Sequence, residues 1–194
     1  MPKLGMEEIR RRQLIEATIA SIHEVGLADS SLSRISARAG VSTGIVHHYF
    51  EDKAELLEST LRTLGTSLRH SVARRLGAAR TPAQRLMAVV DGNIGADQFT
   101  PEGVSAWLAF WAQVPTHPRL ARVQNVIISR LHDNLLHALR LLGRADAEEI
   151  ASVTEALIDG LWLRAALSAD GPDPARARRL VLDYLNTRLG LTLG

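Results

Sequence analysis

Residues 31–53 read SLSRISARAGVSTGIVHHYFEDK. Ser30 or Ser31 can cap a helix whose apolar face is Leu32, Ile35 and Ala39. Gly40 breaks that helix, and the turn Ala39-Gly40-Val41-Ser42 leads into a second one. Ser42 can cap this second helix, which runs to about Tyr49 with Val46 and Phe50 toward the core. Two short helices joined by a Gly-containing turn make the helix-turn-helix geometry that lays a second helix in the DNA major groove. Leu32, Ile35, Ala39, Val41, Val46 and Phe50 would hold the pair together and leave the other faces free to meet a duplex.

Outward from this stretch the chain reads as helix in both directions. Upstream, Ile15, Ile19, Ile22 and Val25 recur at three- and four-residue steps, which predicts an amphipathic helix ending near Gly26. Downstream, Asp52 begins a fourth helix with Glu55 three residues later, as in a capping box. Leu56, Leu57, Leu61, Leu64 and Leu68 give it one long apolar side to about Leu76. Thr81-Pro82, Thr100-Pro101 and Asp173-Pro174 each pair a capping residue with a proline at the first helical position. Pro115 and Pro118 bracket a short break after a helix containing Trp107 and Trp111. Two long helices follow, at roughly 119–142 and 146–168, and a last one from about Pro174 to Leu189. No stretch alternates as a strand does.

Bulk composition narrows the class without naming it. The 194 residues are 46% hydrophobic and 23% charged, ordinary for a soluble globular protein, and contain no cysteine. Disulfides, thiolate zinc sites and cysteine nucleophiles are excluded, consistent with a reducing cytoplasm. The N-terminus lacks the apolar stretch of a secretory signal, and no apolar run reaches the roughly 20 residues that span a bilayer. A cytoplasmic protein without membrane contact is expected. The net charge is only +2, and the first 53 residues hold seven basic and seven acidic side chains. A nucleic-acid role must therefore rest on where charge is placed.

The motif assigns roles to particular side chains. Thr43, Gly44 and Ile45 open the second helix and would reach base edges. Thr43 can hydrogen-bond an edge, Gly44 permits close approach, and Ile45 can meet a thymine methyl. Ser33 and Arg34 on the preceding helix add contacts, with Arg34 reading guanine or holding a phosphate. Ser31, at its helix N-terminus, and Ser42 can face phosphates. Arg10, Arg11 and Arg12 form either a DNA arm or a solvated helix start. Tyr49 is either a DNA contact or half core; His47 and His48 are either contacts or a solvated pair.

This stretch resembles the TetR-family signature, down to the turn glycine, the aromatic-rich end of the second helix and Lys53 after it. MPKLGMEEIRRRQLIEAT at the start, AWLAFWA at 106–112 and LIDGLWLRAALS at 157–168 extend the resemblance over nearly the whole chain. They point to the branch of that family that represses choline-to-glycine-betaine genes. The resemblance implies an all-α, TetR-like fold: a helix-turn-helix domain at 1–51, a connecting helix at 52–76 and an effector-binding and dimerisation domain at 77–194. It implies that His47, Tyr49 and Lys53 clamp the DNA backbone. It implies a homodimer on palindromic double-stranded operator DNA, with the helices at 119–142 and 146–168 pairing with their copies. Leu131, Leu135, Leu139, Leu142, Leu157, Leu161 and Leu167 supply the apolar surface for that pairing, or are buried against their own chain.

All three tryptophans lie in the second half. Trp107 and Trp111 are four apart and share one side of a helix, with Phe110 beside them pointing elsewhere. Trp162 follows Asp159 by three residues. A quaternary ammonium donates no ordinary hydrogen bond and is held by aromatic faces, often beside a carboxylate. The resemblance implies such a cage for choline or a related cation; the bland reading is core packing, or for Trp162 the dimer interface. Asp97, near Phe99, is one candidate acid, with Asp91 and Asp159 the others.

Catalytic readings fare worse. Gly40-Val41-Ser42-Thr43-Gly44 matches the G-x-S-x-G hydrolase elbow, but that motif needs a strand before it. His132 and His137 are five apart and do not share a helix face, and there is no Walker loop or dinucleotide fingerprint. No enzyme activity, metal or cofactor is expected. The rivals are a TetR-type sensor for another amphipathic or aromatic molecule, a serine hydrolase using Ser42, and a helical interaction module.

Overall fold

A computed structural model describes residues 6–193. The elements are α1 (Met6–Asp29), α2 (Leu32–Arg38), α3 (Thr43–Tyr49), α4 (Lys53–Ala78), α5 (Pro82–Ile94), α6 (Pro101–Gln113), a single 3₁₀ turn (Val114–Thr116), α7 (Pro118–Leu141), α8 (Ala147–Leu167) and α9 (Pro174–Leu189). No strand occurs among the described residues, and none of their helices is long and apolar enough to cross a membrane.

The start signals explain most boundaries. Thr81 accepts from the Gln84 backbone N–H, and Gln84 returns the bond to the Thr81 backbone, closing a capping box before Pro82. Thr100 accepts from the Gly103 N–H at 3.0 Å, and Asp173 from the Arg176 N–H at 2.9 Å. Asp52 accepts from the Glu55 N–H at 2.7 Å, while the Glu55 carboxylate reaches back to the Glu51 N–H. Each bond satisfies a donor that the first helical turn leaves without a partner.

Three local readings are sharpened by the structure. The regular first helix breaks at Gly26, as expected (φ 75°, ψ 168°), and a short further turn continues to Asp29. Ser31, not Ser30, caps α2; Ser30 is buried and bonds the Gly26 carbonyl and Ser21 instead. Ser42 stands at the cap position of α3, but its side chain makes no capping bond.

The chain forms two compact units. One comprises the chain up to Leu64 together with Ser105–Gln124; the other comprises Gly65–Val104 and the chain from Asn125 on. In the first, Leu14, Ile15, Ala17, Ile35, Val46, Phe50 and Leu56 make a closed core. Ile19, Leu32, Ala39, Val41 and Tyr49 pack against it. Of the six apolar residues expected to hold the helix-turn-helix, Ile35, Val46 and Phe50 are in this cluster and Leu32, Ala39 and Val41 pack against it. Burying each large aliphatic or aromatic side chain contributes roughly 1.5–3 kcal/mol, so the core holds α1, α2 and α3 in one arrangement. In the second unit Leu86, Val89, Val90, Leu135, Leu139, Ile150, Val181 and Leu185 are fully buried. There α5 meets α4 at Gly92, where a Cβ would lie 2.7 Å from the Val72 Cα.

Candidate nucleic-acid interface and sensor aromatics

In α3 only Val46 is buried, and the C-cap residue Phe50 is buried beside it; Gly44, Ile45, His47 and His48 face outward. Core packing fixes which side of α3 is inward, and the free side carries no acid. The turn that aims it contains Gly40 at φ 67°, a conformation a Cβ disfavours. Nothing crowds Gly44: an added Cβ would meet only Ser42 Oγ, at 3.8 Å. Ser33 and Arg34 are exposed on α2, and Ser31 and Ser42 are exposed at the two helix starts.

Three of the expected contacts are engaged within the fold. The Thr43 hydroxyl lies 3.2 Å from Ser36 Oγ, which holds its position in the first turn of α3. Tyr49 packs half-buried on the core, with His48 edge-on at 5.0 Å, so its ring serves the core whatever its hydroxyl does. Lys53 Nζ reaches toward the Leu27 carbonyl at 3.5 Å, at the limit of a hydrogen bond.

The arginine run divides. Arg11 donates to the Tyr49 carbonyl, lies 4.3 Å over the Phe50 ring and pairs with Glu55 at 3.5 Å. A cation at a helix C-terminus stabilises the exposed carbonyls there, so Arg11 is a clamp on the end of α3. Arg10 bonds Gln13 and Arg12 pairs with Glu16, both within α1. Sequence reading missed the Arg11 contact because 38 residues separate the partners and no local spacing announces it. Arg38 pairs with Glu24, and its hydrogen bond and charge lower the Glu24 pKa.

The G-x-S-x-G stretch follows α2 and opens α3, without the strand a nucleophile elbow requires.

The aromatic residues form pairs. Within the first unit, Trp107 and Trp111 have ring centroids 6.2 Å apart at 45°. Trp107 and Phe110 are buried, and Trp111 is half-buried with its indole N–H enclosed and unpartnered. Within the second unit, Phe99 and Trp162 are both buried and meet edge to face at 4.9 Å and 86°.

The three candidate acids are not equivalent. Asp97 receives Arg75 at 2.8 Å, Arg74 at 2.9 Å and Ser71 at 2.8 Å. Burial alone would raise its pKa; hydrogen bonds from Arg75 and Ser71 outweigh it and hold the carboxyl well below the usual range. Asp91 pairs with Arg178 at 2.7 Å. Asp159 has no cationic partner among the described residues. Its side chain is accessible on the single chain, yet the surrounding protein and then Glu155 push its pKa up to about 6.

A compact, outward-facing second helix above a shared three-helix core, ahead of a larger all-helical unit, defines a TetR-type helix-turn-helix regulator. Residues 14–60 match the family described as bacterial regulatory proteins, tetR family, and residues 82–190 match the BetI-type transcriptional repressor C-terminal family. The chain belongs to the TetR family, in its BetI-type branch of transcriptional repressors. It is 48% identical to the HTH-type transcriptional regulator BetI of Escherichia coli, over 97% of this chain and 98% of that one. It is 46% identical to BetI 1 of Chromohalobacter salexigens, over 97% and 95%. A regulator from Saccharomonospora viridis, solved in complex with choline, shares the fold with a TM-score of 0.83 and 22% identity, over 92% of this chain and 96% of that one.

Proposed function

We propose that the protein is a homodimeric, cytoplasmic repressor of choline-to-glycine-betaine genes, released from a palindromic operator by choline or a related quaternary ammonium. The observation that carries the DNA half is the exposed, acid-free face of α3, held by a core that leaves Gly44, Ile45 and His47 outward. Thr43, Gly44 and Ile45 read base edges; Ser31, Ser33, Arg34, Ser42, His47, His48, Tyr49 and Lys53 approach the backbone and flanking bases. Functionally, residues 1–51 bind DNA, 52–76 connect, and 77–194 sense and dimerise.

Aromatic faces and an acid support the cation. Phe99–Trp162 and Trp107–Trp111 each present rings of the kind that hold a quaternary ammonium. Asp159, three residues before Trp162, is the candidate acid not already neutralised by an arginine; Asp97 and Asp91 are committed elsewhere. The names of the BetI relatives and the choline complex of the Saccharomonospora protein support the same ligand class.

The expected pairing of α7 and α8 gains a rival in α8 and α9. Leu135 and Leu139 of α7 are fully buried in their own chain. Val126, Ile128 and Leu141 of α7 stay exposed, and further apolar surface remains at Val153, Leu163 and Leu167 of α8, the last 72% exposed, and at Leu180 of α9. A two-fold pairing of α8 and α9 with their copies would cover the α8 and α9 residues.

Fluorescence anisotropy on the gene's own promoter tests the proposal. Choline should weaken operator binding, and operator should weaken choline binding by the same factor. Equal choline affinities with and without operator would exclude simple induction. Operator binding that ignores choline but yields to another amphipath would mark a TetR-type sensor of different specificity. Trp111→Ala and Trp162→Ala, measured separately, tell which ring pair carries the cation.

A further inference from the structure

The first unit holds a half-open cavity of about 690 Å³, bounded by the end of α1, the start of α4 and the corner between α6 and α7. That volume falls within the roughly 300–1,000 Å³ of small-molecule sites. Leu27, Leu57, Pro118 and Leu120 make its walls apolar, and none of the aromatic pairs lines it. Its polar side chains are Gln113 and three bases: Lys53, His117 and Arg119. None of its lining residues is acidic. Lys53 has only the long contact to the Leu27 carbonyl, and Arg119 enters no ion pair among the described residues. His117 turns Nδ1 toward the Gln113 carbonyl at 3.1 Å and Thr116 at 3.0 Å, which leaves Nε2 over.

Charge of one sign above an apolar floor repels a quaternary ammonium and attracts an anion with a hydrocarbon tail. We infer that this cavity is a second effector site, taking a small amphipathic carboxylate. Its tail lies against Leu27, Leu57 and Leu120, and its headgroup meets Lys53 and Arg119. Lys53 is also the residue proposed to hold operator phosphate, so an occupant draws that cation off the duplex. The occupant also braces the end of α1 against the start of α4, the two elements that flank the helix-turn-helix. Occupancy of the cavity stands apart from the choline reading; its effect on operator binding rests on the DNA half of the proposed function.

The test uses the full chain and octanoate as probe, with octyltrimethylammonium and octan-1-ol as controls of equal tail length. Titration calorimetry without DNA should give one octanoate per chain and no comparable binding of the cation. Arg119→Glu should weaken octanoate at least tenfold, and Ala54→Trp, which fills an exposed wall position, should abolish it, both with unchanged helical circular dichroism. Octanoate should then weaken operator binding in wild type and not in Ala54→Trp. Absence of binding up to millimolar octanoate, or equal binding of octyltrimethylammonium, overturns the site. So does octanoate binding unaltered in both variants. Binding that satisfies these criteria without any change in operator affinity keeps the site and overturns its regulatory role. Failure of the operator to bind at all would instead count against the proposed function.

Discussion

Gly44 and Asp159 show how much one side chain, or its absence, can decide. A methyl group at Gly44 meets no protein atom closer than 3.8 Å, and alanine favours helix over glycine by about 1 kcal/mol. Gly44→Ala should therefore melt no lower than wild type while losing tenfold or more in operator affinity, because the methyl occupies space the duplex needs. A drop in both together would place Gly44 in the fold and not at the interface. Asp159 carries a different prediction. Its folded pKa of about 6 lies above the ordinary 3.8, so the folded chain retains a proton that the unfolded chain has released. Stability then falls as pH rises between those values. Asp159→Asn should leave melting unchanged near pH 3.5 and raise it at pH 7.5. If Asp159 faces the cation, choline affinity should also climb through about pH 6 in wild type and lose that slope in the variant.

Helix ends and helix crossings set the next scale. The Thr-Pro and Asp-Pro signals were legible in the sequence because a cap acts within one turn: the acceptor and the donor it satisfies are three residues apart. Crossings were not legible, since they join residues far apart in the chain. At Gly92, α5 lies so close to α4 that a Cβ would stand 2.5 Å from Val72 Cγ2 and 2.7 Å from its backbone. Gly92→Ala should destabilise the protein by about 1–3 kcal/mol despite the higher helix propensity of alanine, read from denaturant unfolding. A neutral or stabilising result would mean that the two helices separate without cost. The pairing of His132 on α7 with Glu155 at 2.8 Å and Glu148 at 3.1 Å on α8 is another such crossing. The Glu155 hydrogen bond raises the histidine pKa against the opposing effect of burial.

For the whole molecule the governing question is which apolar surface is left after each chain has folded. Leucine-rich stretches at 119–142 and 146–168 look equally suited to an interface in sequence. Burial divides each of them: Leu135 and Leu139 of α7 close the core while Val126, Ile128 and Leu141 stay exposed, and Leu163 and Leu167, four apart on one side of α8, stay outside. Leu167→Glu should convert a dimer to a monomer in sedimentation equilibrium, keep its helical circular dichroism, and lose tight binding to a two-half-site operator. A dimer that survives the substitution would move the interface away from this face. Lowering salt should strengthen operator binding steeply in wild type, with a slope set by the number of phosphates neutralised.

Periodicity, capping residues and the 31–53 stretch were enough to indicate an all-helical regulator and to place the second helix of its helix-turn-helix at Thr43–Tyr49. Such signals act over a turn or two of chain, where spacing and geometry are the same thing. Contacts across long separations had to come from packing. These include the Arg11 clamp on α3, the capture of Asp97 by Arg74 and Arg75, and the burial of Leu135 and Leu139 of α7 against their own chain. A charge or an apolar face finds its partner through the folded path of the chain, and composition records only that the partner exists somewhere.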